Sequence, residues 1–248
     1  MRFITVFFSC VLVGVFAAIP AKAQQVDLEL VFLADSSGSI DTAESAFQRQ
    51  GHAAALTHPD VLSAIRQGIA GRIAVTYVEW GNAAHQDVVV PWTIIDGAES
   101  AKAFAAALLA APRRAYGYNA IGAALEKGRA LIAANGMEGA RKVLDLSGDS
   151  ANSWDGIPIE TARQAALADG IVINGLPILC REANCGGRPV SYDLEKAFED
   201  KIIAGPGAFV VTAQDRESFE MAVRRKLILE IAGLMPMRGR SHRVNAAN

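Results

Sequence analysis

Val26 to Ala34 (VDLELVFLA) first alternates apolar and polar residues and then closes as an unbroken apolar run. A strand has this pattern when it passes from a half-covered flank to a position covered on both faces. Polar Asp35-Ser36-Ser37-Gly38-Ser39 follows at its C-terminal end, and Asp41 with Glu44 gives a capping-box-like start to a helix running to about Leu56. A short helix follows Pro59. Arg72 to Trp80 reads as a strand, Gly81-Asn82 as a turn and Asp87 to Ile95 as the hairpin partner, where Pro91 demands a sheet edge because it has no N–H to donate.

The second half repeats the alternation of element types. Helices are expected over Ala98–Ala111 and Asn119–Ala134, the latter with Ile121, Leu125 and Leu131 as its apolar face. Lys142 to Ser147 is a strand ending in Gly148-Asp149-Ser150. A helix over Ile159–Ala168, a strand over Gly170–Leu179, a helix over Tyr192–Ile203 and a last strand over Ala208–Thr212 come next. Asp215 to Ala232 is helical, with Phe219, Val223, Leu227 and Ile231 on one face. Strands alternating with helices, plus one hairpin, describe an α/β fold: a mostly parallel central sheet with one antiparallel edge strand and helices on both faces. Such sheets bind ligands beyond the carboxyl ends of their strands. That rule singles out Asp35 to Ser39, the loop before Asn119, and Gly148-Asp149-Ser150.

The N-terminus has a different character. Arg2 precedes Phe3 to Ile19, apolar except for Thr5 and Ser9, and Ala21-Lys22-Ala23 places small residues where a signal peptidase reads them. The expectation is a cleavable signal peptide over residues 1–23, with an uncleaved membrane anchor as the alternative. The chain then divides into a domain over residues 24–233 and a polar, disordered tail over 234–248, and the protein is periplasmic or secreted, without stable membrane insertion. Composition narrows the rest. At 51% hydrophobic and 20% charged, the 248 residues can build a core and are not a disordered chain. Twenty-four Lys and Arg against 26 Asp and Glu leave a formal charge of −2, with no global basic field to hold nucleic acid. Beyond the signal, the cysteines are Cys180 and Cys185, enclosing Arg-Glu-Ala-Asn. An exported pair at this spacing is a disulfide candidate that would tie one local loop; zinc is the alternative, but His52, His58, His85 and His242 lie elsewhere in the sequence.

At the selected rim, Asp35, Ser37, Ser39, Asn119 and Asp149 offer oxygen alone: two carboxylates, two hydroxyls and one amide carbonyl. A hard divalent ion such as Mg²⁺ suits that set, with about six oxygens near 2.1 Å including retained waters, and soft metals do not. Asp35-Ser36-Ser37-Gly38-Ser39 after an apolar strand resembles the Asp-x-Ser-x-Ser motif of von Willebrand factor A (vWA) domains, and the other two loops fit that family's metal-ion-dependent adhesion site. YVEWGNAAHQDVVVPWTII, IGAALEKG, LDLSGDS, INGLPIL, IIAGPGAFVV and RRKLILEIAG are further similar to a secreted proteobacterial subfamily, a domain of unknown function. The resemblance spans Val26 to Gly233. It implies a Rossmann-like sheet whose rim holds Mg²⁺ or Mn²⁺, with Ser37 and Ser39 as direct ligands and Asp35 and Asp149 acting through water. Asn119 stands where the family has Thr, in Gly117-Tyr118-Asn119-Ala120-Ile121-Gly122, and Ser150 stands where the subfamily has Gly.

The resulting expectation is a noncatalytic, metal-dependent binding module that captures an exposed Glu or Asp of a partner protein. Two alternatives accompany it: a metal-independent assembly factor, and a serine ester hydrolase using Ser150, which would need a base near that hydroxyl. Glu79 and Asp145, within strands, read as hydrogen-bonded structural acids, and Trp80, Trp92 and Trp154 as packing residues, with Trp154 and Asp155 placed to frame the site.

Overall fold

A computed structural model describes residues 23–179, 191–214 and 216–233, with the side chains of 216 and 217 outside the description. Cys180, Cys185, residues 1–22 of the expected signal, and the tail lie outside the described residues.

The central strand, β2 (Glu29–Asp35), is buried along its whole length. Its side chains alternate between two cores: Leu30, Phe32 and Ala34 enter one, and Val31 and Leu33 the other. β3 (Ile73–Trp80) and β6 (Lys142–Gly148) pair with it in parallel on either side, β7 (Val172–Pro177) extends the sheet beyond β6, and β4 (Gln86–Ile95) closes the other edge antiparallel to β3. The order is β4-β3-β2-β6-β7. The first core receives α1 (Thr42–Thr57), α2 (Pro59–Arg66), α3 (Ala98–Ala110) and α7 (Arg216–Ala232); the second receives α4 (Ile121–Ala133), α5 (Ile159–Ala168) and α6 (Leu194–Lys201). Phe219, Val223, Leu227 and Ile231 are the buried stripe of α7. Pro91 lies on the edge strand as its chemistry requires. Val75 pairs with Thr93 and Tyr77 with Val90, so Pro91 and Trp92 together oppose Thr76 in a bulge.

Local chemistry sets the helix starts. The Asp41 carboxylate accepts from the Glu44 N–H at 2.8 Å, capping α1. His58 accepts from the Asp60 N–H at 3.2 Å, with Pro59 at the first position of α2.

Three elements differ from the sequence reading. The expected strand over Val26–Ala34 is two pieces. β1 (Gln24–Val26) leaves the main sheet to pair in parallel with β5 (Met137–Gly139). Between the pieces, the Asp27 carboxylate accepts the N–H groups of Ala70 and Arg72 at 2.8 and 3.3 Å, which turns the chain toward that loop. The expected last strand over Ala208–Thr212 forms only isolated parallel bridges, Gly175 with Val210 and Ile178 with Ala213. Gly205 and Gly207, at φ of 103° and 75°, make the turn that leads into this segment. α4 begins at Ile121, not Asn119, because Ala120 has a non-helical backbone (φ −122°, ψ 60°) and stands outside the first turn as its cap. No helix of the described residues is long and apolar enough to cross a membrane.

Two buried ion pairs lock helices to the sheet. Arg49 of α1 forks onto Glu79 of β3 with contacts of 2.6 and 2.9 Å. Lys226 of α7, with no exposed surface, meets Asp145 of β6 at 2.7 Å and Glu230 at 2.5 Å. Asn174 of β7 completes the second cluster, donating to Glu230 at 2.8 Å and accepting from the Phe209 N–H at 3.1 Å. Glu79 and Asp145 are thus held as structural acids.

Burial pushes the Glu230 carboxyl up to about 7; the Lys226 ammonium opposes that rise and Asp145 adds to it. Between the ordinary glutamate value of 4.5 and about 7, the native protein holds a proton that the unfolded chain has released. The associated stability is therefore complete below 4.5 and disappears as pH rises through about 7. Glu230→Gln keeps the shape of the protonated acid, so the urea midpoint of the wild type is expected to fall more steeply between pH 5 and 8 than that of the variant. Parallel pH profiles would show that Glu230 titrates normally.

Candidate metal centre

Asp35 is the last residue of β2, and Asp149 directly follows β6. Adjacent paired strands lie about 4.8 Å apart, so the register alone brings two carboxylates together. Gly148 makes room for them. A Cβ there would lie 3.0 Å from Asp35 Oδ2 and 3.3 Å from the Trp80 ring.

One chain of hydrogen bonds links the loop to the second acid. Asp35 Oδ1 accepts the Ser37 N–H at 2.8 Å, the Ser37 and Ser39 hydroxyls are 3.3 Å apart, and Ser39 Oγ donates to Asp149 Oδ1 at 3.1 Å. Asp35 Oδ2 is buried with no hydrogen-bond partner. The Asp35 carboxyl is pushed well above the usual range by burial and next by the charge of Asp149, with Glu44 of α1 adding to it. The Asp149 carboxyl is also raised by burial, against the pull of the Ser39 hydroxyl and of a proton shared with the Asp35 carboxyl. Two acids crowded out of water in this way lack a positive charge.

Asn119 is 8% exposed on the neighbouring loop, and its side chain makes no hydrogen bond to a described residue. Its backbone carbonyl accepts from the Trp154 N–H at 2.7 Å. The geometry therefore joins Asp35, Ser37, Ser39 and Asp149 directly, while Asn119 lies two residues from Gly117, whose carbonyl accepts the Gly38 N–H, and its side chain is bonded to none of the four. Among the described residues, no group of three or more His, Cys, Asp or Glu has the arrangement to hold a metal. An ion here would take two carboxylates and fill its remaining positions with hydroxyls and water. That donor set fits a hard cation, and the unpaired Asp35 Oδ2 is an oxygen in need of one.

The loop's shape depends on a residue that the sequence reading passed over. Arg113, in the segment after α3, donates from Nη2 to the carbonyls of Ser36, Ser37 and Ile40 at 2.8, 3.2 and 2.8 Å, and from Nε to Ser36 Oγ at 2.8 Å. The Tyr116 ring covers its guanidinium at 5.1 Å, and the Tyr116 hydroxyl bonds back to Arg113 O at 2.7 Å. The Gly38 N–H donates to Gly117 O at 2.7 Å, and a Cβ on Gly81 would come within 2.1 Å of Tyr116 O, so the Asp35 loop and the β3–β4 turn both sit backbone to backbone against this segment. Carbonyl partners more than seventy residues away leave no mark in a sequence pattern. An arginine between Pro112 and a Tyr-Gly-Tyr segment was the one available hint.

Ser150 Oγ accepts from the Asn152 N–H at 3.2 Å and lies 3.4 Å from the Tyr192 hydroxyl. It closes its own turn. His52 is enclosed by Phe32, Tyr77 and Phe219, and His58 caps α2, so neither serves Ser150 as a base. His242 lies outside the described residues.

The model of a family described as "Protein of unknown function (DUF1194)" matches residues 25–235. No curated protein matches the chain. Among solved structures, proximal thread matrix protein 1 from the mussel byssus superposes with a TM-score of 0.59 at 16% identity, over 86% of this chain and 49% of that one. A second structure of the same mussel protein is described as having a zinc-occupied MIDAS motif. The pilus adhesin SpaC from Lactobacillus rhamnosus GG gives 0.59 at 14% identity, over 86% of this chain and 31% of that one. The vWF domain of the type V pili tip protein Mfa5 from Porphyromonas gingivalis gives 0.53 at 9%, over 87% and 98%. The chain thus spans about half of the mussel protein and a third of SpaC. These likenesses establish the vWA fold.

Arg113→Ala removes the guanidinium from four acceptors of the Asp35 loop, of which Ser37 O keeps the Ile40 N–H at 3.0 Å. The expected loss is about 2 kcal/mol or more in urea unfolding, with Arg113→Lys recovering only part of it because an ammonium lacks the fork. An unchanged midpoint in Arg113→Ala would show that the loop holds its shape by itself.

Proposed function

Because the chain belongs to the DUF1194 family and has the vWA fold, we propose that it is an exported, noncatalytic binding module whose rim holds Mg²⁺ or Mn²⁺ and uses the ion to capture a Glu or Asp of a partner protein. The observation that carries this reading is the buried, unpaired Asp35 Oδ2 beside Asp149 and two hydroxyls. When bound, the ion supplies the positive charge on which a partner's carboxylate docks. Ser37 and Ser39 are its direct ligands in this reading, Asp35 and Asp149 act through water, and Asn119 contributes a neutral oxygen at most.

The protein's own residues do the positioning. Arg113 fixes the carbonyls of the loop that carries both hydroxyls, and Gly148 leaves the space beside Asp35 Oδ2 free of a side chain. Export is supported by the charged and apolar pattern of the first 23 residues. Interaction rather than chemistry is supported by the hydrogen bonds of Ser150 Oγ, which among the described residues reach no histidine or carboxylate, and by fold relatives whose names describe a pilus adhesin, a pilus tip protein and a thread matrix protein. The silent side chain of Asn119 favours one second reading, a metal-independent assembly factor.

Thermal unfolding of residues 24–248 in EDTA, and then in Mg²⁺ or Mn²⁺, separates the two. An ion at about 100 times its dissociation constant is expected to stabilise the native state by about 2.7 kcal/mol. Asp35→Ala and Asp35→Asn are expected to remove the gain. A wild-type protein whose midpoint ignores both ions would leave the metal-independent reading in place.

A further inference from the structure

Of the seven large hydrophobic side chains that reach solvent among the described residues, four stand on the two loops beside the candidate metal centre: Tyr116, Tyr118, Trp154 and Ile157. Isolated exposed hydrophobics are ordinary, but a cluster at one rim is not. The tryptophans differ in kind. Trp80 is buried and donates its indole N–H to Leu33 O at 3.1 Å, and Trp92 donates to Leu131 O at 3.2 Å. Trp154 is 73% exposed, and its indole N–H meets no described residue. It is no packing residue, contrary to the sequence expectation.

Its loop is nevertheless held firmly. The Trp154 N–H bonds to Asn119 O at 2.7 Å, and the Asp155 carboxylate accepts the N–H groups of Ala83 and Gly156, each at 2.8 Å. Tyr118, next to Asn119, is 77% exposed, and its hydroxyl bonds to no described residue. Tyr116 is already employed on Arg113. Two large rings are thus held out to solvent on backbones joined through Asn119. A Tyr or Trp so fixed offers wide contact area at little cost in lost side-chain freedom. Arg114, also exposed and without a described partner, adds positive charge to the same segment.

We infer that Trp154 and Tyr118 form an apolar collar that reads the residues flanking the partner's acidic side chain. The preferred partner segment carries Glu or Asp with a proline, aromatic or branched aliphatic residue within two positions, a reach of about 7 Å in an extended chain. Arg114 favours the acidic character of that segment. The inference rests on the metal-dependent capture proposed above.

The test is selection from a displayed library of random twelve-residue peptides on the immobilised domain in Mg²⁺, with elution by EDTA. Selected peptides are then made as soluble probes and titrated by Trp154 emission, or by calorimetry with the Trp154 variant. The expected result is enrichment of Glu or Asp flanked by apolar residues. Affinity is expected to fall at least tenfold in Trp154→Ala and severalfold in Tyr118→Ala, and to stay unchanged in Ile69→Ala, an exposed hydrophobic in the loop after α2. Thermal stabilisation by Mg²⁺ should be equal in all four proteins. Peptides that carry acids without apolar neighbours, or whose binding survives Trp154→Ala, overturn the collar while leaving the metal site intact. So does a neutral oligosaccharide that binds in EDTA and is lost in Trp154→Ala. Absence of Mg²⁺ stabilisation in the wild type overturns the underlying capture reading itself.

Discussion

Full pairing of the central strand on both sides is the constraint from which the rest follows. β2 is hydrogen-bonded to β3 along one edge and to β6 along the other, so the ends of neighbouring strands are held at a fixed lateral spacing. Asp35 and Asp149 leave adjacent strands at the same rim, and the sheet supplies no means of moving them apart. Burial acts against both carboxylates, and the charge of Asp149 acts further against Asp35. The fold accepts that local cost because the backbone pairing beneath is extensive and almost wholly buried. The two acids therefore sit crowded together on an otherwise saturated framework.

The second consequence is a division of labour between side chains that make the site and side chains that hold it. Asp35, Ser37, Ser39 and Asp149 form the linked set of oxygens. Arg113, Gly38 with Gly117, and Gly81 beneath Tyr116 fix the loops those oxygens ride on. On the face of the sheet covered by α1 and α7, Arg49–Glu79 and Lys226–Asp145 do the same for whole helices. Buried pairs of this kind contribute little net stability, but breaking one leaves a charge stranded among apolar groups. They fix where α1 and α7 sit along the strands more than how tightly they bind.

Much of the architecture was legible because its signals are local. The apolar run of β2, the hairpin with Pro91 at the edge, the Asp41 cap and the stripe on α7 each declare themselves within a few residues. So did the candidate ligands, since Asp35 to Ser39 and Gly148-Asp149 are contiguous and the strand-end rule selects them. The features that escaped are those that depend on distant backbone. Arg113 recognises carbonyls, which every residue has, so no spacing betrays its partners. The detour at Asp27 and the fragmentary pairing of Val210 and Ala213 were settled by what lay opposite them. Trp154 escaped for another reason: an aromatic residue carries the same hydrophobicity whether a fold covers it or not, and only the neighbouring loops decide.

The small sheet of β1 and β5 has a bearing on geometry at larger scale. It fixes Gln24–Val26 beside Met137–Gly139, and Val26 O accepts the Ala140 N–H at 3.0 Å. Arg141, in the same turn, bonds the carbonyls of Glu230 and Ile231 at the end of α7. The polypeptide therefore enters and leaves the domain at one pole, where β6 starts, while the carboxylates stand at the other, about 20 Å away along that strand. Anything joined to either end serves as a stalk. However such a stalk swivels, the pole that carries Asp35 and Asp149 is presented outward, away from the point of attachment.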